Sequence, residues 1–461
     1  MTGATIAAQR ARFTGARQVT DDTSVLTLKT FSQTPLLTWQ DGGQVGPGLF
    51  AAWDVAEGGR RWTFHIAPGA RFHDGKPFIA ADVLEFVDGV TNSIDMFGMR
   101  WSYARYLAEA RLTAPDDRTL VVENPTPFAD ILDIFAEFHP AREDAAGHAT
   151  IGTGAWRVAE HAPDEVVVLE HLLDPARRLT FRAMPRAEDR LAALRAGQVD
   201  AAMNLERVHD RVEQTPDLRW LNAPNTLCCM FYLNCATGIF ANPAARLAAN
   251  LAVDRAAIVR DLFHGLGVLE ATVVSPAHLG FAEAGVAPHP HDPDAARRLL
   301  AGLDLSGELL LRTPEWLPEK ALDISRRVAA DLAAVGLRCR IEVQTDRPEY
   351  AREVGRKIIG DLAIFDSSPC SSFRVLNDKI SAQAKGVWWQ GHADPEAEAL
   401  ITAANRTVGE PGRAAAYGAA LRRLHADPPW LYLFHPVEVA AFRPGAGPFT
   451  LDARGVLGLA P

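Results

Sequence analysis

Arg100-Trp101-Ser102-Tyr103 sets a fixed cation beside two aromatic rings, and Trp388-Trp389-Gln390-Gly391-His392 sets two indoles beside an imidazole. Aromatic walls with a few placed charges are what a pocket for a small polar ligand needs. Arg374 is able to clamp a carboxylate with two parallel N–H donors, or to pair on the surface. For Arg100 the alternative is an amphipathic helix with surface arginines, since Arg105 follows. Adjacent tryptophans project in different directions, so one of Trp388 and Trp389 is expected in the core and the other on a ligand wall. This chemistry is non-covalent holding.

Bond-breaking chemistry has no comparable signal. The sequence contains no HExxH, GxSxG, Walker lysine loop or CxxC. Gly265-Leu266-Gly267 runs into Val268-Leu269-Glu270, which breaks the dinucleotide fingerprint. His289-Pro290-His291-Asp292 has metal-ligating side chains but sits just before a capped helix, as a solvated loop does. Cys228 and Cys229 are neighbours on an apolar run and point to opposite faces of a strand, so they read as packed thiols. The expectation is a protein that is not an enzyme, with no catalytic residues, no resident metal and no cofactor.

The elements that must position these groups belong to a chain of 461 residues, about three domains by length. There are 47 Lys+Arg against 57 Asp+Glu, a formal charge of −10, which argues against a nucleic-acid partner. Hydrophobic residues make up 48% and charged residues 23%, the balance of a folded globular chain. No apolar run reaches the ~18 residues of a membrane span. Met1 to Gly15 carries Arg10 and Arg12 but lacks the apolar core of a secretory leader, so the reading allows a removed or mis-started leader as well as a cytoplasmic chain.

Trp62, Phe64 and Ile66 alternate with polar neighbours, predicting a half-buried strand over 61–66. Pro68-Gly69 and His73-Asp74-Gly75 turn the chain, and Val83, Phe86, Val87 and Val90 have helical spacing, so a βαβ-like mixture is expected there. Val166 to Leu169 suits a strand covered on both faces. Asn242-Pro243, Asp254, Asp292-Pro293 and Asp394-Pro395 are helix starts. Ile324, Val328, Leu332 and Val335 form a helical stripe stopped at Gly336, followed by alternating Leu337, Cys339, Ile341 and Val343. The fold class is α/β, with two or three lobes and mixed sheets flanked by helices.

The run Trp62-Thr63-Phe64-His65-Ile66-Ala67-Pro68-Gly69-Ala70-Arg71-Phe72-His73-Asp74-Gly75-Lys76-Pro77-Phe78, then Ala81-Asp82-Val83, resembles the signature of the extracytoplasmic solute-binding proteins of the peptide/opine/nickel class of ABC importers. Ile151-Gly152-Thr153-Gly154-Ala155-Trp156, Leu194-Arg195-Ala196-Gly197-Gln198-Val199-Asp200, Arg246 to Gly265 and Asp292 to Leu300 are similar to later blocks of that family, in the same order. The resemblance implies a two-lobed, periplasmic-binding-protein-like clamshell with an inserted subdomain. Mapped onto this chain it gives lobe I as 1–45, 150–230 and 433–461, the insert as 46–149, and lobe II as 231–432. It implies a monomer that captures a peptide, an opine-like conjugate or a nickel chelate by hinge closure. Delivery would be to the permease subunits of an ABC transporter, from a periplasmic or otherwise extracytoplasmic position. A cytoplasmic sensor reusing the fold is the alternative.

The resemblance also implies roles for residues. Arg100 and Tyr103 match an arginine and an aromatic that hold and stack a metal chelate in the nickel branch, and His139 falls near that branch's second basic residue. Asp366 sits where peptide-binding relatives place an aspartate for the peptide ammonium, although the tryptophan and proline that accompany it there are missing. With Arg374, Trp388, Trp389 and His392 these are the expected ligand contacts.

Overall fold

The computed structural model describes residues 3–20, 22–94, 98–213, 215–315 and 319–460. Two compact units emerge: Met1–Gln40, Val45–Ala223 and Val437–Pro461 form the first, and Asp41–Gln44 with Pro224–Pro436 form the second. Among the described residues, no helix is long and apolar enough to cross a membrane.

The first unit holds a mixed sheet and an antiparallel one. In the mixed sheet Gly3–Ala8 lies parallel to both Asp174–Ala183 and Ala201–Ala202, and Val166–His171 and Trp156–Ala162 follow antiparallel. Ile6, Phe13, Leu28, Trp156, Val167, Leu169 and Phe181 make its core. Val167 and Leu169 are buried while Val166 and Val168 are half-buried, so this strand has one core face instead of the two expected. Its position next to the outermost strand explains the difference.

The antiparallel sheet runs Phe50–Ala56, Arg61–Ile66, Thr119–Glu123, Arg111–Asp116. Trp62, Phe64 and Ile66 point inward as their alternation predicts, and the rings of Phe50 and Phe135 lie 4.9 and 5.0 Å from Phe64. Helix Ala80–Thr91 buries Val83, Phe86, Val87 and Val90, and the Asp82 carboxylate accepts the Ile79 N–H at its start. Arg61–Ile66, this helix and Arg111–Asp116 form a split βαβ unit: both strands are antiparallel to Thr119–Glu123, which lies between them, and so run parallel to each other, in keeping with the expected βαβ-like mixture.

His73-Asp74-Gly75 is a structural turn. Asp74 accepts the Lys76 N–H, Gly75 has φ +84°, and Arg142 ties Asp74 to Asp82 while covering the Phe72 ring. The His73 ring bonds the Gly154 carbonyl oxygen at 2.9 Å. Gly152 and Gly154 slide against the end of helix Thr23–Ser32 so closely that a Cβ on Gly152 would stand 2.0 Å from the Ser32 carbonyl oxygen. No side chain fits there.

The second unit is built on one sheet in the order Cys339–Gln344, Leu309–Pro314, Leu362–Ser367, Cys228–Leu233, then the first part of Trp430–Phe442, with Gly267–Leu269 pairing to that last strand. The Leu309–Pro314 strand is parallel to both neighbours, and Cys228–Leu233 is antiparallel to both of its own. One face carries Phe231, Leu233, Leu362, Ile364, Leu431 and Leu433 against helices Pro243–Ala252, Arg255–Phe263, Pro293–Leu300 and Ala321–Ala334. Asn242, Asp254, Asp292 and Asp394 cap their helices with side-chain oxygens, as read from the sequence. Val343, expected inside, is 42% exposed because its strand is the sheet edge.

The opposite face is aromatic: Tyr232, Phe365, Trp430 and Tyr432, with the Tyr350 hydroxyl donating to the Ile364 carbonyl oxygen and that of Tyr432 to Leu424. This face positions the site described below.

Replacing Phe64, which is fully buried between Phe50 and Phe135, by alanine should cost about 3–5 kcal/mol of stability. Urea unfolding measures it. A loss below about 1 kcal/mol would mean that this aromatic cluster is not a core.

Candidate functional site

Helix Ser372–Lys379 starts where Ser371 accepts the Arg374 N–H, and it follows strand Leu362–Ser367 after a short loop. That connection brings Asp366 and Arg374 into one cluster. The Arg347 guanidinium lies 3.7 Å from an Asp366 carboxylate oxygen and 4.7 Å from the Phe365 ring centre. Arg374 Nε lies 4.0 Å from Asp378 Oδ2. Lys379 Nζ donates to the Asp366 carbonyl oxygen at 3.4 Å.

Trp388 closes the same cluster. Its backbone N–H donates to the Asp378 carbonyl oxygen, its ring centre is 5.1 Å from that of Phe365, and Lys379 Nζ is 5.8 Å from its ring centre. Gly386 makes this approach possible: a Cβ there would be 2.2 Å from the Asp378 carbonyl oxygen. Lys357 Nζ donates to the Gly386 and Val387 carbonyl oxygens and so pins the loop that carries Trp388. Burial lowers Lys379 to about 8 even with Asp366 and Asp378 acting to raise it.

Thus Asp366, Arg374 and Trp388 come together, and Arg347, Asp378 and Lys379 join them without having been read from the sequence. Arg347 is the first helical residue after a cap, and Lys379 ends a short helix. Neither position carries a motif, and only the pairing of strand, helix and loop reveals them.

Trp389 and His392 go elsewhere. The Trp389 indole N–H donates to the His392 carbonyl oxygen at 2.7 Å, and Lys385 sits over its ring. His392, 4% exposed, faces Asp427 at 3.4 Å, and Asp427 also pairs with buried Arg246. Asp394 pairs with Arg423 at 2.7 Å. Burial pushes the Asp427 carboxyl up, but His392 and Arg246 more than offset this and hold it at about 2. The carboxylates of this trio already have guanidinium partners, so it is an ion network and not a cation site.

In a second trio, Asp144, His148 and His161 in the first unit, two of the three members already accept hydrogen bonds. Asp144 accepts the Ala146 and His148 N–H groups and the Thr150 hydroxyl, and His161 Nε2 accepts the Phe13 N–H. His289 and His291 have separate partners as well: His289 stacks 4.1 Å from His425, and His291 faces Asp254.

The other first-unit candidates are spread out. Arg100 is exposed, with its guanidinium directed at Asn92 and Thr91 at the end of helix Ala80–Thr91. Tyr103 is fully buried, edge-on to Phe138 at 5.0 Å and beside Trp101. His139 is buried, and burial, with the charges of Lys29 and Arg454, holds it at about 3. It is therefore neutral and supplies no fixed cation. The buried cation acting on it is Lys29, which the sequence reading passed over; its Nζ donates to the Gln18 carbonyl oxygen.

Residues 44–367 match the family model for bacterial extracellular solute-binding proteins, family 5. This chain belongs to that family. A probable di/tripeptide-binding protein of Pseudomonas aeruginosa is 24% identical over 87% of this chain and 84% of its own. The nickel-binding periplasmic protein of Escherichia coli is 23% identical over 90% and 85%. Among solved structures, HbpA2 from Haemophilus parasuis superposes with a TM-score of 0.82 at 18% identity over the whole of both chains. NikA from Brucella suis, in complex with Fe(III)-EDTA, gives 0.79 at 19% identity over 99% of this chain and 100% of that one.

His139, His289 and His435 are all held neutral, at about 3, 4 and 4, chiefly by burial. Unfolded, each takes up a proton near pH 6.5, so stability is complete above that value and falls as pH drops from 6.5 towards 4. In His435→Asn, urea midpoints between pH 7 and 5 should decline less steeply than in wild type. An unchanged slope would contradict a neutral buried imidazole.

Proposed function

We propose that this chain captures a small polar ligand outside the cytoplasm and delivers it to the permease subunits of an ABC importer. The observation that carries the reading is the joining of Asp366, Arg374 and Trp388 in one cluster, in a chain of solute-binding family 5. Carboxylates and guanidiniums beside aromatic rings recognise ligands that are both charged and partly apolar. Peptides, opine-like conjugates and metal chelates meet that description. The di/tripeptide-binding and nickel-binding relatives bracket the same range.

The proposal assigns ligand contact to Asp366, Arg374 and Trp388, all in the second unit. It treats 46–149 as an inserted subdomain and the working species as a monomer. Ligand binding shifts a conformational equilibrium that the permease reads, and no bond is broken. Trp389 and His392 serve the loop that presents Trp388.

The test is a thermal-shift and native-mass screen of refolded, ligand-free protein against short peptides, opines and nickel–histidine. A ligand at a hundred times its Kd adds about 2.7 kcal/mol to stability, which raises Tm by several degrees. Binding by at least one class is expected. No shift and no bound mass with any class would refute the reading.

A further inference from the structure

We infer that His278 is a positioning residue for the ligand site of the second unit. It fixes the connection that brings Asp366 and Arg374 together, without itself touching ligand. This rests on the capture reading above and names what sets the affinity of that same site.

Pro369 lies between Asp366 and Arg374 in the chain, on the loop that joins strand Leu362–Ser367 to helix Ser372–Lys379. Its carbonyl oxygen is 2.7 Å from His278 Nε2. A carbonyl accepts and does not donate, so Nε2 carries the proton. On the other side of the ring, Nδ1 is 3.1 Å from the Ser275 backbone nitrogen and 2.9 Å from Ser275 Oγ. A backbone N–H donates and does not accept, so Nδ1 is the acceptor. Ser275 Oγ in turn accepts the Ala277 N–H at 3.3 Å. These partners agree on one tautomer, with a donor aimed at the loop and an acceptor aimed at the ring's own turn. His278 is 2% exposed and Ser275 1%, so bulk water does not stand in for these bonds.

The turn that carries the ring is the fixed side of the contact. A Cβ on Gly43 would stand 2.3 Å from the Leu279 nitrogen, and one on Gly280, at φ +90°, would stand 2.5 Å from Tyr417 Cβ on helix Glu410–Ala426. Thr272 Oγ1 also donates to the Leu421 carbonyl oxygen of that helix at 3.2 Å. Backbone packed this closely has no room to follow a moving loop. The loop is tied to the turn at Pro369 through His278, and again at Ser372, whose Oγ donates to the Leu279 carbonyl oxygen at 2.7 Å. Where helix Ser372–Lys379 leaves strand Leu362–Ser367 therefore depends on the turn, and so does the placing of Arg374 relative to Asp366. Binding groups have to be held to within about 0.5 Å of their working geometry.

The test uses full-length wild type, His278→Gln and His278→Asn. The glutamine amide nitrogen takes the place of Nε2 and keeps the bond to Pro369, but gives up the acceptor for Ser275. The asparagine amide oxygen takes the place of Nδ1 and keeps Ser275, but gives up the donor to Pro369. Each loses one side of the ring's bonding, so both should melt below wild type. Affinity should separate them. The probes are the dipeptide Ala-Phe, an opine and nickel–histidine. For any that wild type binds, His278→Asn should weaken binding about tenfold or more, the scale of a buried bond lost, while His278→Gln should stay within about threefold. Amide hydrogen exchange over residues 367–374 should quicken in His278→Asn and not in His278→Gln. Should His278→Asn fail to fold, Ser372→Ala cuts the second tie and takes its place, with weakened binding again expected.

Wild-type affinity or unchanged exchange in His278→Asn, an equal loss of affinity in both His278 variants, or wild-type affinity in Ser372→Ala would each overturn the positioning role and leave ligand capture standing. No binding of any probe by wild type would overturn both.

Discussion

Charged groups in the second unit have to be buried against aromatic rings, and burial of charge is costly unless each group finds a partner. That constraint shapes the segment from Leu362 to Trp388. Asp366 is the next-to-last residue of strand Leu362–Ser367, and Arg347 and Lys379 converge on it from two helices. The aromatic face of Tyr232, Phe365 and Trp388 removes water from these charges and strengthens their fields. The arrangement is rigid where it needs support, through Gly386, Lys357 and the Trp389–His392 bond, all of which hold one loop in place.

The same loop sends two neighbouring tryptophans in different directions. Trp388 turns to the charged cluster and Trp389 turns back onto its own backbone. His392 then anchors the loop through Asp427 to Arg246, in a network whose charges are matched.

Local patterning was legible in the sequence, and pairing was not. Alternating Trp62, Phe64 and Ile66 specify a strand with one buried face, and the Asn and Asp caps place helix starts, because both signals act over a few residues. The direction in which Arg61–Ile66 pairs, and the exposure of Val343 at a sheet edge, depend on segments far away in the chain. The site divides along the same line. Residue type and family resemblance single out Asp366, Arg374 and Trp388, which the structure gathers into one cluster. Arg347 and Lys379 were missed because nothing near them in sequence shows that they meet Asp366. The assignment of His392 was reached without sight of Asp427, 35 positions away (427 − 392), which commits its ring to the fold.

The central claim is that the aromatic, charged face formed by strand Leu362–Ser367, helix Ser372–Lys379 and Trp388 is where ligand is held. A crystal structure with a ligand from the binding screen tests it most directly. The account predicts ligand atoms in van der Waals contact with the Trp388 ring and a polar group hydrogen-bonded to the Asp366–Arg374–Lys379 cluster. A bound ligand that touches none of these residues would contradict it.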